Sequence, residues 1–446
     1  MDTVKKRSDI ALIFKISWPV MLGTVLQSIL STVDVYFISQ LGTDQSAAAS
    51  LANSIVTVIF VLSTLVSAGT IALVSRSKGE GNIAQIRAIG GQSLSLSALI
   101  GGIISIICFF LKDELVILFF NPEPAVFKYA NEYLSFLFPA TILVFINSAL
   151  RTVFQANGDT RTPLYIFGIS NILNGIGDYI LIEIFDMGIT GAALATVISM
   201  IFSCVVINIL LVKNFYDNDY KVFLRSLRLN SNDSMRILRI GGWACIQNII
   251  RPMTGTLMYS LVYATGGREG ASAFGIGGQL LNYTFIINSG ISTGLAVLVG
   301  QSLGKKDIEG CDRLIGQGMK IAWINTFIWI IPYILFPHVL MSFFIDDSLV
   351  ISHGVNYLRV VYLGLISIPF TIVYGGVFQG AGDTFPPMVA SMVSNAVLKL
   401  PVAYLLAYAA GLGVMGAWIA IALSVVVEAA VIYFYFIKGK WKEKVI

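Results

Sequence analysis

FQANGDTRTP occupies residues 154–163, and FQGAGDTFPP occupies residues 378–387. Phe154 and Phe378 are 224 positions apart, about half of the 446-residue chain. The match continues on both sides. FFNPEPAVFKYANEYL from Phe119 aligns with FFIDDSLVISHGVNYL from Phe343, and Ser170-Asn171 with Ser394-Asn395, at the same offset. One residue further in offset, SAGTIALVSRSKGEGN from Ser67 aligns with STGLAVLVGQSLGKKD from Ser292, and GITGAALA from Gly188 with GVMGAWIA from Gly413. Several blocks stay in register and carry Asp, Gln, Asn and Pro, so chance likeness between Gly- and Ala-rich stretches is excluded. The chain is two homologous halves.

Composition says where those halves live. Hydrophobic residues make up 56% of the chain and charged residues 12%, against about 25% charged in a soluble globular protein. Mean hydropathy is +0.81. About 20 apolar residues suffice to cross a bilayer as a helix, and helix is the physical choice because lipid offers no partner to an open backbone. Spans are expected near 12–40, 47–75, 88–111, 131–156, 162–184 and 187–212, then 237–264, 271–300, 314–338, 350–378, 385–410 and 413–437. The first, after the basic stretch MDTVKKRSDI, lacks a small-residue cleavage site and is read as an uncleaved span. The expected fold is all-α and integral to the membrane, with twelve transmembrane helices. Residues 1–212 form one six-helix lobe, 213–236 a cytosolic loop, and 237–446 the second lobe. Six is even, so both lobes insert the same way up, related by a pseudo-two-fold along the membrane normal, a parallel-repeat transporter plan.

Basic residues choose the side. With the N-terminus inside, the inner segments hold 23 Lys and Arg, including Lys5, Lys6, Arg7, Arg151, Arg161 and Lys444. The outer segments hold three, Lys112, Lys128 and Arg268. The positive-inside rule puts both termini in the cytoplasm of a multi-pass cell-membrane protein. Cys108, Cys204 and Cys245 fall in apolar runs and Cys311 in a charged loop, without metal or CxxC spacing. His338 and His353 sit near loop edges, so no metal site and no cofactor is expected. No nucleophile–base pair, HExxH, GxSxG or P-loop spacing accompanies the repeated Gly-Asp-Thr, so an enzyme is not expected. The predicted partners are small organic molecules and the bilayer, with no nucleic acid, and the chain is expected to act as a monomer.

Ionisable groups inside spans are costly and are functional candidates by default. Asp34 lies 19 residues, about 28 Å of helix, from Lys15, and Asp178 lies 17 residues, about 26 Å, from Arg161. Both reach similar depth in the first lobe. Asn174 and Asp178, four apart, share a helix face, as do Gln27 and Asp34. Thr196 descends from the outer side in the sixth span. Two carboxyls set together away from water can take up and release a proton, and with the Asn and Thr oxygens they can instead hold Na⁺. Alternatively, Asp34 caps a helix end at the interface. In the second lobe Asp178 is replaced by Val402, and Asp34 falls at Met258 or Tyr259. That lobe carries Arg251 near Gln247, Lys399 near Asn395, and Glu428, so it is mainly basic. Arg251 and Lys399 are candidates to contact substrate, to pair with Glu428, or to snorkel. Pro19 removes a hydrogen bond within the first span and is expected to kink it. Gly23, Gly90, Gly91, Gly101 and Gly102 permit close helix packing. The many aromatic residues suit flat organic cations.

Over essentially its whole length the chain resembles the multidrug and toxic compound extrusion (MATE) family, and within it the prokaryotic DinF-like branch. The resemblance rests on WPVMLGTVLQSILSTVDVYFISQLG (18–42), VFQANGDTRTP, NILNGIGD, GITGAALAT, VFQGAGDTFPP and GVMGAWIA. It implies two six-helix lobes exporting varied, often cationic organic compounds against inward H⁺ or Na⁺. It implies a first-lobe cation site at Asp34, Asn174, Asp178 and Thr196. Gln27, Pro19, Asn171, Gln247, Arg251 and Lys399 are then the candidates for substrate binding or gating. Another branch carries a Glu in the seventh helix, where this chain has Gln247. A flippase for a lipid-linked sugar precursor is the competing reading, kept open by Arg251 and Lys399.

Overall fold

The computed structural model describes the backbone of residues 2–120 and 122–446 and the side chains of 9–120 and 122–446. Lys5, Lys6 and Arg7, three of the inner basic residues, therefore have side chains outside the described residues. Every regular element among the described residues is helical. The spans are α1 (Asp2–Leu41), α2 (Thr43–Glu80), α3 (Ile83–Phe110), α4 (Pro124–Ala156), α5 (Arg161–Ile184) and α6 (Gly188–Phe215). A helical stretch Ser231–Gly304 follows, broken at Gly267 by a backbone φ of 64°, which gives α7 (231–266) and α8 (268–304). Then come α9 (Ile308–Leu335), α10 (Ser348–Leu365 and Ile368–Ala381), α11 (Phe385–Ala409) and α12 (Val414–Ile437). The twelve-helix expectation is met among the described residues, with two differences of shape. The tenth span is bent by 48°. Pro369 stands in the first turn after the break and brings no amide to bridge it. The inter-lobe stretch is not simple loop: it holds the helix Tyr220–Ser226.

The chain divides into two compact units, Pro19–Gly241 and Met1–Trp18 with Gly242–Ile446. The first unit's core is Tyr133, Phe138 and Phe145 of α4 packed with Ile59, Ile182 and Ala193. Below it, Leu150, Phe154 and Tyr216 form a second cluster with Phe223. That cluster seats the inter-lobe segment. Gln92 of α3 donates to Ser226 O (3.2 Å) and accepts from Asn230 N (2.9 Å), and Ser95 donates to Leu227 O (2.6 Å). Arg87 donates to Phe215 O (2.5 Å) and pairs with Asp217. Gly91 makes this possible, since a Cβ there would lie 2.4 Å from Ser226 O. Gly101 is also tight, a Cβ falling 2.9 Å from that of Phe145, whereas a Cβ at Gly23, Gly90 or Gly102 would make ordinary contacts of 3.5 Å or more.

The second unit packs around Trp418, fully buried, stacked on Phe274 (5.8 Å) and edge-on to Tyr357 (4.8 Å). Three sequence placements are corrected here. Cys311 lies in the first turn of α9 and is fully buried, because that turn packs inward with Gly310. His338 and His353 lie within helices, Pro337–Ser342 and Ser348–Leu365, rather than at loop edges.

The repeated phrase has one backbone in two places. Asp159 N donates to Phe154 O at 3.1 Å and Asp383 N to Phe378 O at 2.9 Å, each closing a helix through a left-handed glycine, Gly158 or Gly382. Their side chains differ. Asp159 Oδ1 accepts from the amides of Arg161 (3.2 Å) and Thr162 (3.0 Å), capping α5. Thr162 is matched by Pro386, which has no amide to offer, and Asp383 instead pairs with Lys444 at 2.9 Å.

Candidate functional site

α5 is α-helical through Asp178 and then widens into a π turn, Tyr179–Ile184. Such turns recur at functional positions because they offset the side chains that follow. Asp178 and Asn174, one turn apart, are both about 1% exposed. In one orientation the Asn174 amide satisfies both neighbours. Its nitrogen donates to Asp34 Oδ1 of α1 at 2.9 Å, and its oxygen accepts from the Thr196 backbone N–H of α6 at 3.2 Å. The carboxyls of Asp34 and Asp178 lie within hydrogen-bonding reach of each other. Asp178 Oδ2 is buried and receives no hydrogen bond from any described residue. Thr196 Oγ1 donates to Ala192 O at 3.1 Å. Tyr133 of α4, 2% exposed, is buried in the same unit's core beside Ile182 and Ala193, residues of the helices that carry Asp178 and Thr196. Three helices thus bring Asp34, Asn174, Asp178 and Thr196 together. Tyr133 escaped notice in the sequence, although it aligns with Tyr357 at the repeat offset, and Tyr357 is buried too.

Two unit charges 4 Å apart repel by about 4 kcal/mol at an effective dielectric near 20. Two carboxylates in contact are therefore stabilised by a bound proton or cation.

Two cavities adjoin in the same unit. One, about 90 Å³, is lined by Gln27, Asn147, Arg151, Phe167, Asn171 and Thr196 among others. The other, about 180 Å³, runs along α1 past Pro19, Gly23, Thr24 and Gln27 to Arg151, Gln155 and Phe167. Thr196 is common to the carboxyl cluster and the first cavity. Asn171 also donates to Leu26 O at 3.3 Å. α1 stays helical through Pro19, which faces the second cavity. Drug-sized sites start near 300 Å³, so a substrate would require these walls to move apart.

The second unit's charges form a chain. Arg251 donates to Glu428 Oε1 at 2.6 Å. Glu428 Oε2 accepts from Asn395 (3.2 Å) and Ser394 (3.4 Å), and Asn395 Oδ1 accepts from Lys399 Nζ at 2.6 Å. Lys399 and Asn395 sit on a second π stretch, Met392–Lys399. Of the readings open from sequence, Arg251 takes the ion pair. Gln247 lies one turn before Arg251, half-buried.

Known proteins place this architecture. A probable multidrug resistance protein NorM of Thermotoga maritima is 27% identical, over 97% of this chain and 93% of its own. A probable multidrug resistance protein YoeA of Bacillus subtilis is 25% identical, over 96% and 93%. A crystal structure of MATE in the bent conformation superposes with a TM-score of 0.90 at 22% identity, covering 98% of this chain and 97% of that one. The MatE family model matches twice, at residues 19–180 and 244–405, so that each match falls in one half of the repeat. The chain belongs to the MatE family.

Proposed function

We propose that this protein is a secondary active multidrug exporter, which moves amphipathic, often cationic, organic compounds out of the cell by antiport through alternating access. The observation that carries the reading is the contact of Asp34 with the buried Asp178, bordered through Thr196 by a cavity. The coupling ion is H⁺. Asp34 and Asp178 lie within hydrogen-bonding reach of each other, so that one proton shared between them relieves their repulsion without any further ligand. The NorM and YoeA relatives are named as probable multidrug resistance proteins, which supports the same reading. Proton uptake removes the charge that Asn174 holds on α1. The same helix lines the second cavity from Pro19 to Gln27, so bending there narrows the chamber and expels its content. The two homologous halves, 1–212 and 237–446, joined by 213–236, are the rocking bodies of this scheme. The chain works as a monomer in the cell membrane, both termini cytoplasmic. The flippase reading rested on Arg251 and Lys399 as available cations, and the Arg251–Glu428 pair weakens it. Reconstitution in liposomes tests the proposal. A cationic dye is expected to move under an imposed pH gradient and not under a Na⁺ gradient alone. Movement under Na⁺ alone would reverse the ion assignment, and no movement under either would end the exporter reading.

A further inference from the structure

We propose that Arg151 makes the first unit's chamber a receptor for the carboxylate of an aromatic amphipath, so that zwitterionic compounds bind in preference to purely cationic ones. This rests on the exporter reading for transport, though not for binding.

Arg151 lines both cavities and, among the described residues, is the only charged one lining either. Sequence reading counted it among the inner basic residues of the cytosolic face, but it belongs to α4, five residues before that helix ends. Among the described residues it has no carboxylate partner, and its one interaction is with the ring of Phe167, 5.5 Å from the guanidinium carbon. A guanidinium that lines a cavity without an anion is free to take one, and its planar fork fits a carboxylate with two parallel hydrogen bonds. Around it stand groups suited to the rest of such a ligand. Asn147, one turn earlier on the same face, has a buried Oδ1 with no partner, while its nitrogen serves Met200 O at 3.1 Å. Phe60, Val144 and Met200 supply apolar wall.

The repeat argues that this charge is no requirement of the fold. The position matching Arg151 at the 224 offset is Gly375, where a Cβ would meet nothing within 4 Å. One half closes the same loop without any side chain there. The acidic cluster and Arg151 also give the first unit two poles, where the sequence showed only the acidic one.

The test uses the purified full chain in micelles and two dyes of one scaffold, rhodamine 110 (free carboxylic acid) and rhodamine 123 (its methyl ester). Fluorescence anisotropy is expected to show the acid binding about tenfold tighter than the ester, or 1.4 kcal/mol. Arg151→Gln should abolish that preference by weakening only the acid, and Arg151→Lys should retain part of it. Unchanged elution and thermal unfolding of both variants separate this from misfolding. No preference in the native chain, or a preference that survives Arg151→Gln, overturns the proposal. Proteoliposome transport separates it from the exporter reading. An Arg151-dependent acid preference without movement of either dye keeps the receptor and removes the exporter. Movement of the ester without any acid preference does the reverse.

Discussion

Asp178→Asn changes one oxygen to an amide and tests both the chemistry and the energetics of the carboxyl pair. The volume is conserved, so no cavity forms. Asp178 Oδ2 has no hydrogen bond among the described residues to lose. The variant loses a like-charge contact with Asp34, worth up to about 4 kcal/mol at 4 Å and an effective dielectric near 20. It also gains an amide donor beside the remaining carboxylate, and hydrogen bonds to charged groups contribute about 1.5–3 kcal/mol. Asp34 keeps its bond from Asn174. A proton shared by the pair, as the exporter proposal has it, would already relieve part of the repulsion, so the net expectation is a gain on the order of 2 kcal/mol. Function should move the other way. A site with one carboxyl and a permanent internal donor has no charge left to regulate, and proton-driven transport should fall to background. The assays are thermal unfolding in detergent and dye movement in liposomes under a pH gradient, with Asp34→Asn alongside. Destabilisation by Asp178→Asn would refute the strained-pair argument. Transport at the native rate would refute the coupling role. A more stable, inactive protein is the signature of a site held against its own stability.

The Arg251–Glu428 pair is predicted to be asymmetric. Glu428 is 8% exposed and Arg251 41%, so Arg251→Met, which strands the more buried carboxylate, should cost about 2–3 kcal/mol, while Glu428→Gln keeps a neutral acceptor for the guanidinium and should cost about 1 kcal/mol. A double-mutant cycle by thermal unfolding checks this, and equal losses would count against it. The two repeated loops should respond differently as well: Asp159→Ala removes a helix cap and should lower stability by about 1 kcal/mol, whereas Asp383→Ala removes a half-buried ion pair with Lys444 and leaves the amides of the next helix as they are. Amide hydrogen exchange at Arg161 and Thr162 should rise in the first variant alone.

Much of this architecture was legible along the chain because hydropathy and charge act locally. Each apolar run must become a helix wherever lipid offers its backbone no partner, so span number and positions follow from the run lengths. The repeat located the equivalent loops, and both do close with the same backbone bonds through Gly158 and Gly382. The carboxyl cluster was partly legible, since depth along a helix comes from counting residues and the i,i+4 rule puts Asn174 beside Asp178. Counting does not say how a helix is rotated against its neighbours, and that rotation decides which side chains meet. It packed Tyr133 against the helices that carry Asp178 and Thr196, joined Arg251 to Glu428, and turned Arg151 from a presumed cytosolic charge into the one cation, among the described residues, of a chamber. It also made the inter-lobe segment a docked element, because Gly91 lets backbone approach backbone where any side chain would stand in the way. Sequence assigns each group its depth and its sign, and packing assigns each group its partner, because partners come from helices distant in the chain.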